Sequence, residues 1–198
     1  LSSSSAASDV YKRQGYNWKY GPFELIDRLG AGWLARALEA DGRAVPPLLR
    51  QVGEGRFYRV QDGALEFFGT DGAYHHVVRP EGVLLLSDVK RRSQPLAKNG
   101  SASLWDIGDG VACLEFHTKM NSIDPGTVEM LGKAIAMGKK GGFKALVIHN
   151  EGEQFSVGAN IGLALFAANI AAWGEIESLI EQGQKAMQAL RAAPFPVV

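Results

Sequence analysis

The sequence predicts an α/β (α+β) protein assembled from successive blocks with different hydrophobic periods. Apolar residues first recur at helical spacing, then alternate in short runs between turn signals, and finally occupy strands and helices in turn. With 198 residues, the chain is long enough to bury one sizeable core or two small ones. Its hydrophobic content of 46% and charged content of 21% are typical of a globular protein.

Composition argues against several classes of function. Lys+Arg and Asp+Glu both number 21, so the formal net charge is zero and no overall basic field attracts nucleic acid or anionic lipid. No apolar run approaches the roughly 18 residues that a membrane span needs. The single cysteine, Cys113, lies in an apolar strand pattern. We therefore expect a buried structural thiol and a reduced, cytoplasmic setting.

The first 50 residues divide into a leader and a helical block. Residues 1–14 are Ser-rich and aperiodic, and we expect them to be a disordered, non-native leader. In residues 15–50, Pro22 marks a helix start and Gly30 marks its end, with a second short helix ending near Asp41. The predicted helical face carries Phe23, Leu25, Ile26 and Leu29.

Residues 51–100 switch to a period of two and predict a small antiparallel β connector. Four strand-like runs, at 56–60, 64–68, 74–78 and 83–86, are separated by Asp-Gly and Glu-Gly turn signals. The pair His75-His76 suggests a metal site, but adjacent strand residues point to opposite faces and no ligand cluster accompanies them. We therefore predict no metal. The basic run 90–92 is interpreted as the solvated edge of a linker.

Residues 101–198 alternate strands and helices. Two strands flank the turn at 108–110, and Asp124 followed by Pro125 predicts the start of a helix that Gly141 ends. A strand is predicted over 143–149, helices over 161–170 and 175–191, and a final strand over 194–198. Between strand and helix, Gly158 leaves room for close approach to the free N–H groups of a helix start, which can hold an anion or a polarised carbonyl oxygen. Spacing alone is equally compatible with a Gly-rich connection that binds nothing.

Three segments resemble known families. Residues 155–161 (Phe-Ser-Val-Gly-Ala-Asn-Ile) resemble the Phe-Ser-x-Gly-Ala-Asp-Ile segment of the enoyl-CoA hydratase/isomerase (crotonase) family, and residues 117–123 resemble its first CoA-contacting loop. Residues 15–27 resemble the end of the C-terminal helical domain of 3-hydroxyacyl-CoA dehydrogenases. The resemblance implies a dehydrogenase tail at 15–50, a connector at 51–100, and the N-terminal half of a crotonase-like ββα spiral at 101–198.

The same resemblance implies a function in fatty acid β-oxidation. The parent protein would hydrate trans-2-enoyl-CoA and oxidise the product with NAD, whose binding domain is not in this chain, and coenzyme A would be part of the substrate. The intact protein is expected to be a homo-oligomer. The Ala159 backbone N–H would be one oxyanion donor. The residues implied to contact the acyl-CoA substrate are Lys119, Met120, Val157, Gly158 and Ile161.

Several functional groups are expected outside the chain. In the crotonase family, the second oxyanion donor and the acid/base glutamates follow the strand that begins at Pro196, so we expect them beyond Val198 and expect the chain alone to be inactive. Glu115, Glu151 and Glu153 precede the family's catalytic positions and are assigned no role. Asn160 replaces the family's usual Asp, which alters any contact made by that side chain but not the backbone donor. Isomerisation, thioester hydrolysis and non-catalytic acyl-CoA binding all stay open as alternatives.

Overall fold

The computed structural model describes Asp9, Lys12, residues 15–152 and residues 154–198. The chain has a mixed α/β fold with two small sheets, and it divides into two compact units, Leu1–Arg92 and Ser93–Val198. The prediction of a disordered leader over residues 1–14 falls largely outside the described residues. Asp9, which is described, is buried and accepts hydrogen bonds from the backbone N–H groups of Phe23 and Glu24. The sequence did not indicate this contact.

From Pro22 onward, the first unit contains the helices α1 (Pro22–Leu29), α2 (Ala31–Ala40) and α3 (Pro47–Val52). The start of α1 at Pro22 and its end at Gly30 are as the sequence predicted, because proline fits the first helical turn and glycine tolerates the positive φ of 96° at the end. Helix α3 was not predicted. The core of this unit comprises Ala31, Val45, Leu49, Val52, Phe57 and Phe68.

The first sheet has three antiparallel strands in chain order: β1 (Tyr58–Gln61), β2 (Ala64–Phe68) and β3 (Tyr74–His76). It confirms the predicted meander for these three runs. The Asp27 carboxylate joins the helices to the sheet, accepting the backbone N–H groups of Phe57 at 2.6 Å and Tyr58 at 2.8 Å. Burial raises the pKa of Asp27, although these two bonds oppose the shift.

The predicted strand at 83–86 is wrong, because residues 83–85 form no strand and Leu86 begins helix α4 (Leu86–Arg92). The basic run at 90–92, predicted as the edge of a linker, forms the last turn of this helix at the boundary between the two units. Leu86 and Val89 are both buried, three residues apart on one helix face. The Asp88 carboxylate binds the guanidinium groups of Arg79 and Arg91, and these partners outweigh partial burial in lowering the pKa of Asp88. The basic residues therefore lie at the negative end of a helix, where their charge is favourable.

The second unit contains a four-stranded sheet in the order β4 (Ala97–Lys98), β5 (Ala102–Asp106), β6 (Val111–Phe116) and β7 (Ala145–Ile148). The first three strands are antiparallel, and β7 pairs with β6 in parallel. The last residues of the chain extend the sheet beyond β7, with Leu146 donating to the Pro196 carbonyl at 2.9 Å and Val198 donating back to Leu146 at 3.0 Å. Because β6 and β7 are parallel, the loops that follow them leave from the same edge.

Three helices complete this unit: α5 (Pro125–Lys139), α6 (Ile161–Asn169) and α7 (Trp173–Arg191). The predicted cap of α5 is confirmed, since the Asp124 carboxylate accepts the Thr127 N–H at 2.8 Å. Helix α5 packs against the sheet and against α7. Cys113 is buried, as predicted. The core of the unit is formed by Ala97, Ala102, Leu104, Ala112, Leu114, Phe116, Met130, Leu131, Ala134, Phe143, Leu146 and Ala186.

Candidate functional site

Two loops meet where β6 and β7 end. The first loop (117–123) follows β6 and contains a short 3₁₀ turn, Lys119–Asn121; the second (149–160) follows β7. Val157 donates its backbone N–H to the Met120 carbonyl at 3.3 Å, and the Ser156 hydroxyl donates to the Asn121 carbonyl at 2.6 Å. The Asn121 amide returns a bond to the Gln154 carbonyl at 2.9 Å. The structure thus brings Met120 and Val157, both predicted to contact substrate, into direct contact.

A parallel bridge between Ile123 and Ala159 fixes the backbone around the predicted donor. The Ile123 N–H donates to the Gly158 carbonyl at 2.7 Å, and the Asn160 N–H donates to the Ile123 carbonyl at 3.0 Å. The Gly158 carbonyl and the Ala159 N–H belong to one planar trans peptide, in which C=O and N–H point in opposite directions. The Ala159 N–H therefore points away from Ile123, and no acceptor among the described residues takes a hydrogen bond from it.

Helix α6 begins directly after the donor. Its N-cap is Asn160, whose side-chain oxygen accepts the Gly162 N–H at 3.2 Å. An Asn is as good a cap as the Asp found in the resembling motif, so this replacement leaves the helix start intact. The first turn of α6 adds the positive end of a helix dipole beside the Ala159 N–H. Negative charge developing at this point is favoured by both groups.

The residues predicted to contact substrate lie at the surface of this loop pair. Met120, Val157 and Ile161 are 51%, 48% and 75% exposed, and Lys119 is also exposed. Gly158 has a φ of 83°, in the left-handed region that glycine adopts without a steric penalty. These side chains and Ala159 are therefore each accessible to a ligand.

An open groove of about 660 Å³ runs from Ala159 along helix α7. Its wall is mostly apolar, with polar contributions from glutamine side chains. The lining residues are Ala159, Leu179, Ile180, Gly183, Gln184, Met187 and Gln188. Such a groove suits an aliphatic chain attached to a group that the Ala159 N–H binds.

Of the acidic residues that the sequence analysis left unassigned, Glu115 lies beside a histidine at the end of β6. Glu115 is buried on β6, where its carboxylate lies 3.5 Å from His117 Nε2. His117 Nε2 is 2.7 Å from the Ser103 hydroxyl, which accepts the Trp105 indole N–H at 2.6 Å. Ser103 and Glu115 approach the same ring nitrogen, so this cluster lacks the two-sided histidine of a nucleophilic triad. Glu153 lies outside the described residues.

Neither a metal nor a dinucleotide fits the described residues. No group of three His, Cys, Asp or Glu side chains within the described part of the chain could hold a metal ion. His75 instead contacts the Asp71 carboxylate at 2.9 Å, and His76 lies 3.5 Å from Glu66. The Gly-x-Gly-x-x-Ala spacing that starts at Gly30 joins α1 to α2, whereas a dinucleotide fingerprint connects a strand to a helix. We therefore derive no step through NAD in this chain.

Sequence reasoning missed one residue of the site, Asn150. Its side chain is 6% exposed and connects the end of β6 to the second loop. The only signal in the sequence is a polar residue placed just after an apolar strand.

The chain is similar in sequence to two bacterial proteins whose names refer to acyl-CoA or fatty acid oxidation. It is 33% identical over 195 residues to a protein named probable 3-hydroxyacyl-CoA dehydrogenase from Bacillus subtilis, and 27% identical over 191 residues to one named for the trifunctional enzyme of the fatty acid oxidation complex in Rickettsia felis. These alignments cover 97% and 96% of this chain but 24% of each relative, so the chain spans about a quarter of their length. No protein-family model matches the chain.

Solved structures show a partial likeness. An enoyl-CoA hydratase from Shewanella pealeana matches with a TM-score of 0.44 and 19% identity, covering 49% of this chain and 37% of that one. An enoyl-CoA hydratase from Polaromonas matches with a TM-score of 0.45 and 21% identity, covering 50% and 38%. The sequence relatives, one named as a 3-hydroxyacyl-CoA dehydrogenase and two as trifunctional enzymes of fatty acid oxidation, confirm the predicted resemblance to proteins of this kind. No helix of the described residues is long and apolar enough to cross a membrane.

Proposed function

We propose that this chain supplies the acyl-CoA-binding loops and one oxyanion donor of a fatty acid β-oxidation enzyme. The parent activity would be hydration of trans-2-enoyl-CoA to 3-hydroxyacyl-CoA, followed by oxidation with NAD in a separate nucleotide-binding domain. The names of the sequence relatives support the pathway. The observation that carries the proposal is the Ala159 N–H, which has no acceptor among the described residues although the peptide behind it is fixed by Ile123.

The chemistry explains why such an N–H is needed. When water adds to C3 of an enoyl thioester, electrons move toward the thioester oxygen and an enolate forms before C2 is protonated. An N–H held against that oxygen stabilises the developing charge more than it stabilises the neutral carbonyl. In well-studied enzymes, removing one such donor costs about 3–4 kcal/mol of transition-state stabilisation. The Ala159 N–H, with the helix start behind it, is suited to this role.

The other residues of the site would bind the rest of the substrate. Lys119 and Met120 would contact the pantetheine part of CoA, while the backbone around Val157 and Ile161 would contact the adenine end. The apolar groove along α7 would accept the acyl chain, since its wall carries Leu179, Ile180 and Met187. Gly158 would allow the thioester to approach the backbone closely.

Binding experiments with paired ligands test the assignment. The purified 198-residue chain is titrated calorimetrically with crotonyl-CoA, with S-butyl-CoA, which lacks the thioester carbonyl, and with CoA alone. We expect crotonyl-CoA to bind up to about tenfold more tightly than the thioether, because one net hydrogen bond contributes about 0.5–1.5 kcal/mol. Equal affinities would show that the Ala159 N–H makes no effective hydrogen bond to the bound thioester carbonyl, and no binding of any ligand would overturn the acyl-CoA assignment.

Turnover measurements separate hydration from the alternatives. We expect no hydration of crotonyl-CoA, and no reduction of NAD with 3-hydroxybutyryl-CoA, by this chain alone. Hydration by the purified chain above a buffer blank would show that it contains its own acid/base groups. Binding without turnover in the complete parent protein would favour a non-catalytic acyl-CoA-binding module. Isomerisation or thioester hydrolysis by the parent would assign it to another acyl-CoA reaction.

A further inference from the structure

The Asn150 side chain connects two backbone segments at the site. It lies two residues after β7 and is more than nine-tenths buried. Its oxygen accepts the backbone N–H of Phe116, the last residue of β6, at 2.7 Å. Its nitrogen donates to the carbonyl of Phe155, in the middle of the second loop, at 2.6 Å. One amide therefore terminates the β6–β7 ladder and holds the loop that leaves it.

Asn121 makes a second connection from the opposite loop. Its side-chain nitrogen donates to the Gln154 carbonyl at 2.9 Å, and its own carbonyl accepts the Ser156 hydroxyl at 2.6 Å. The backbone of Asn121 has a φ of 54°, a left-handed conformation that asparagine tolerates better than most residues. Asn121 and Asn150 thus hold three consecutive residues, 154–156, from two sides.

Packing does little to order this segment. Phe155 is 59% exposed and Gln154 is also exposed, so little apolar burial is available to hold the backbone in place. Among the described residues, hydrogen bonds to Asn121 and Asn150, together with the bond from the Val157 N–H to the Met120 carbonyl, hold the backbone from Gln154 to Val157. Removing a hydrogen-bond partner from a buried amide costs more stability than removing one from an exposed amide, because it leaves a desolvated polar group without a partner.

We propose that Asn150 is a positioning residue for the Ala159 backbone donor, with Asn121 as its counterpart on the other loop. The inference rests on the proposed oxyanion role of Ala159. A donor is effective only when it is held within a few tenths of an ångström of its working geometry. Asn150 reaches Ala159 through the loop backbone: it fixes Phe155, and the bonds of residues 156–158 to the first loop transmit that position to Ala159.

The chemistry of the amide gives a discriminating substitution. In Asn150→Asp, one carboxylate oxygen still accepts the Phe116 N–H, but the other faces the Phe155 carbonyl, so an attractive contact of 2.6 Å becomes a repulsive one. The strand end is preserved while the loop is released. Asn121→Asp removes the bond to Gln154 in the same way and provides a second variant should Asn150→Asp fold poorly.

Asn99 offers a matched control in the same unit. Its oxygen accepts the Ser101 and Ala102 N–H groups, both at 2.9 Å, and its nitrogen donates to the Gly126 carbonyl at 2.8 Å. Asn99→Asp therefore exchanges the same donor for an acceptor in a comparable side-chain-to-backbone network. It touches the turn before β5, the first turn of α5 and, at 3.4 Å, the Glu129 carboxylate, and it makes no bond to a described residue of the second loop.

The experiment measures loop order and ligand affinity separately on the ¹⁵N-labelled full chain. Backbone order parameters of Gly158 and Ala159 are expected to be near the rigid value of about 0.85 in the wild type and in Asn99→Asp, and below about 0.6 in Asn150→Asp and Asn121→Asp. The affinity for crotonyl-CoA is expected to fall about tenfold in the two loop variants and to stay unchanged in the control. Thermal melting by circular dichroism confirms that each variant is folded.

The outcomes distinguish this inference from the proposed function. Wild-type chain that fails to bind crotonyl-CoA removes the proposed function, and the positioning role falls with it. Wild-type binding with unchanged order and affinity in both loop variants overturns the positioning role alone. Loop variants that lose order but keep full affinity also overturn it, since Ala159 would then need no support. If Asn99→Asp lost as much loop order and affinity as the loop variants, the positioning role would be overturned, and Asn150 would contribute only to general stability.

Discussion

Replacing Gly158 by alanine isolates the contribution of one backbone conformation to the site. Gly158 has a φ of 83°, and a Cβ built there meets no described atom within 4 Å outside its chain neighbours. The added methyl group therefore causes no clash, and the whole effect comes from holding an L-residue in the left-handed region. That conformation costs an alanine about 1–2 kcal/mol, which corresponds to a five- to thirtyfold shift in a conformational equilibrium.

The strain has a specific consequence because of what the neighbouring peptide does. The Gly158 carbonyl accepts the Ile123 N–H at 2.7 Å, and the same peptide carries the Ala159 N–H on its opposite side. If the variant relaxes to a negative φ, the peptide plane rotates, the bond to Ile123 breaks and the Ala159 N–H changes direction. We therefore expect Gly158→Ala to lose about 1–2 kcal/mol of loop stability and to bind crotonyl-CoA several-fold more weakly.

Gly132→Ala is the matched control for this prediction. Gly132 lies in the interior of α5 with ordinary helical backbone angles, and a Cβ there also meets no described atom within 4 Å. The same substitution should raise the free energy of unfolding by about 0.5–1 kcal/mol, because alanine is the better helix former. Urea denaturation followed by circular dichroism measures stability, and calorimetry measures binding. Equal stability and equal affinity in Gly158→Ala and wild type would refute the reasoning.

Two further predictions concern buried polar groups of the second unit. Ser103→Ala removes, in a fully buried position, the acceptor of the Trp105 indole N–H and the neighbour of His117 Nε2. We expect the free energy of unfolding, measured by urea denaturation, to fall by about 1–3 kcal/mol. A loss below about 0.5 kcal/mol would contradict this prediction. Burial alone would raise the pKa of Asp124, but the Thr127 N–H and the Ser101 and Thr127 hydroxyls outweigh it, so the pKa is lowered from 3.8. The ionised cap therefore stabilises the fold above pH 3.8 and loses this contribution as the pH falls through the lowered pKa. The amide oxygen of Asp124→Asn still caps α5 but cannot ionise. The melting temperature of this variant should therefore lie below that of the wild type at neutral pH and approach it below pH 4. A constant difference between the two melting temperatures across this pH range would show that Asp124 does not titrate with unfolding.

Much of the second unit follows from local rules that the sequence displays. Asp124 before Pro125 specifies a helix start because one residue supplies the cap and the next has the backbone angle of a first turn. The apolar runs over β6 and β7 specify covered strands, and a helix between them favours a parallel pair. A parallel pair sends both following loops to one edge. The proximity of Met120 and Val157 could therefore be expected from the order of elements together with the family resemblance.

What the sequence did not reveal depends on neighbours distant in the chain. Helix α4 was missed, and a strand was predicted over 83–86, because that run is too short to show a period. The buried pair that identifies the helix is Leu86 and Val89. Asn150 gives no periodic signal, since its role comes from two backbone groups, one of them 34 residues away. Asparagine is common in turns, so its position just after a strand does not indicate a special role. Only the placement of Phe116 and Phe155 shows that it holds the loop.

The backbone around the donor is strained in a way that supports an organised site. Met120 has φ and ψ of 56° and 26°, a left-handed conformation that glycine adopts freely but that costs a residue such as methionine about 1–2 kcal/mol. Such a conformation persists only when surrounding contacts determine it, and the Val157 N–H bonded to the Met120 carbonyl is one of these contacts. Met120 and Asn121 are both left-handed, and residues 156–158 of the second loop all form hydrogen bonds to the first loop. The first loop therefore has little freedom to relax. The Ala159 N–H is thus directed by hydrogen bonds and backbone geometry rather than by apolar packing.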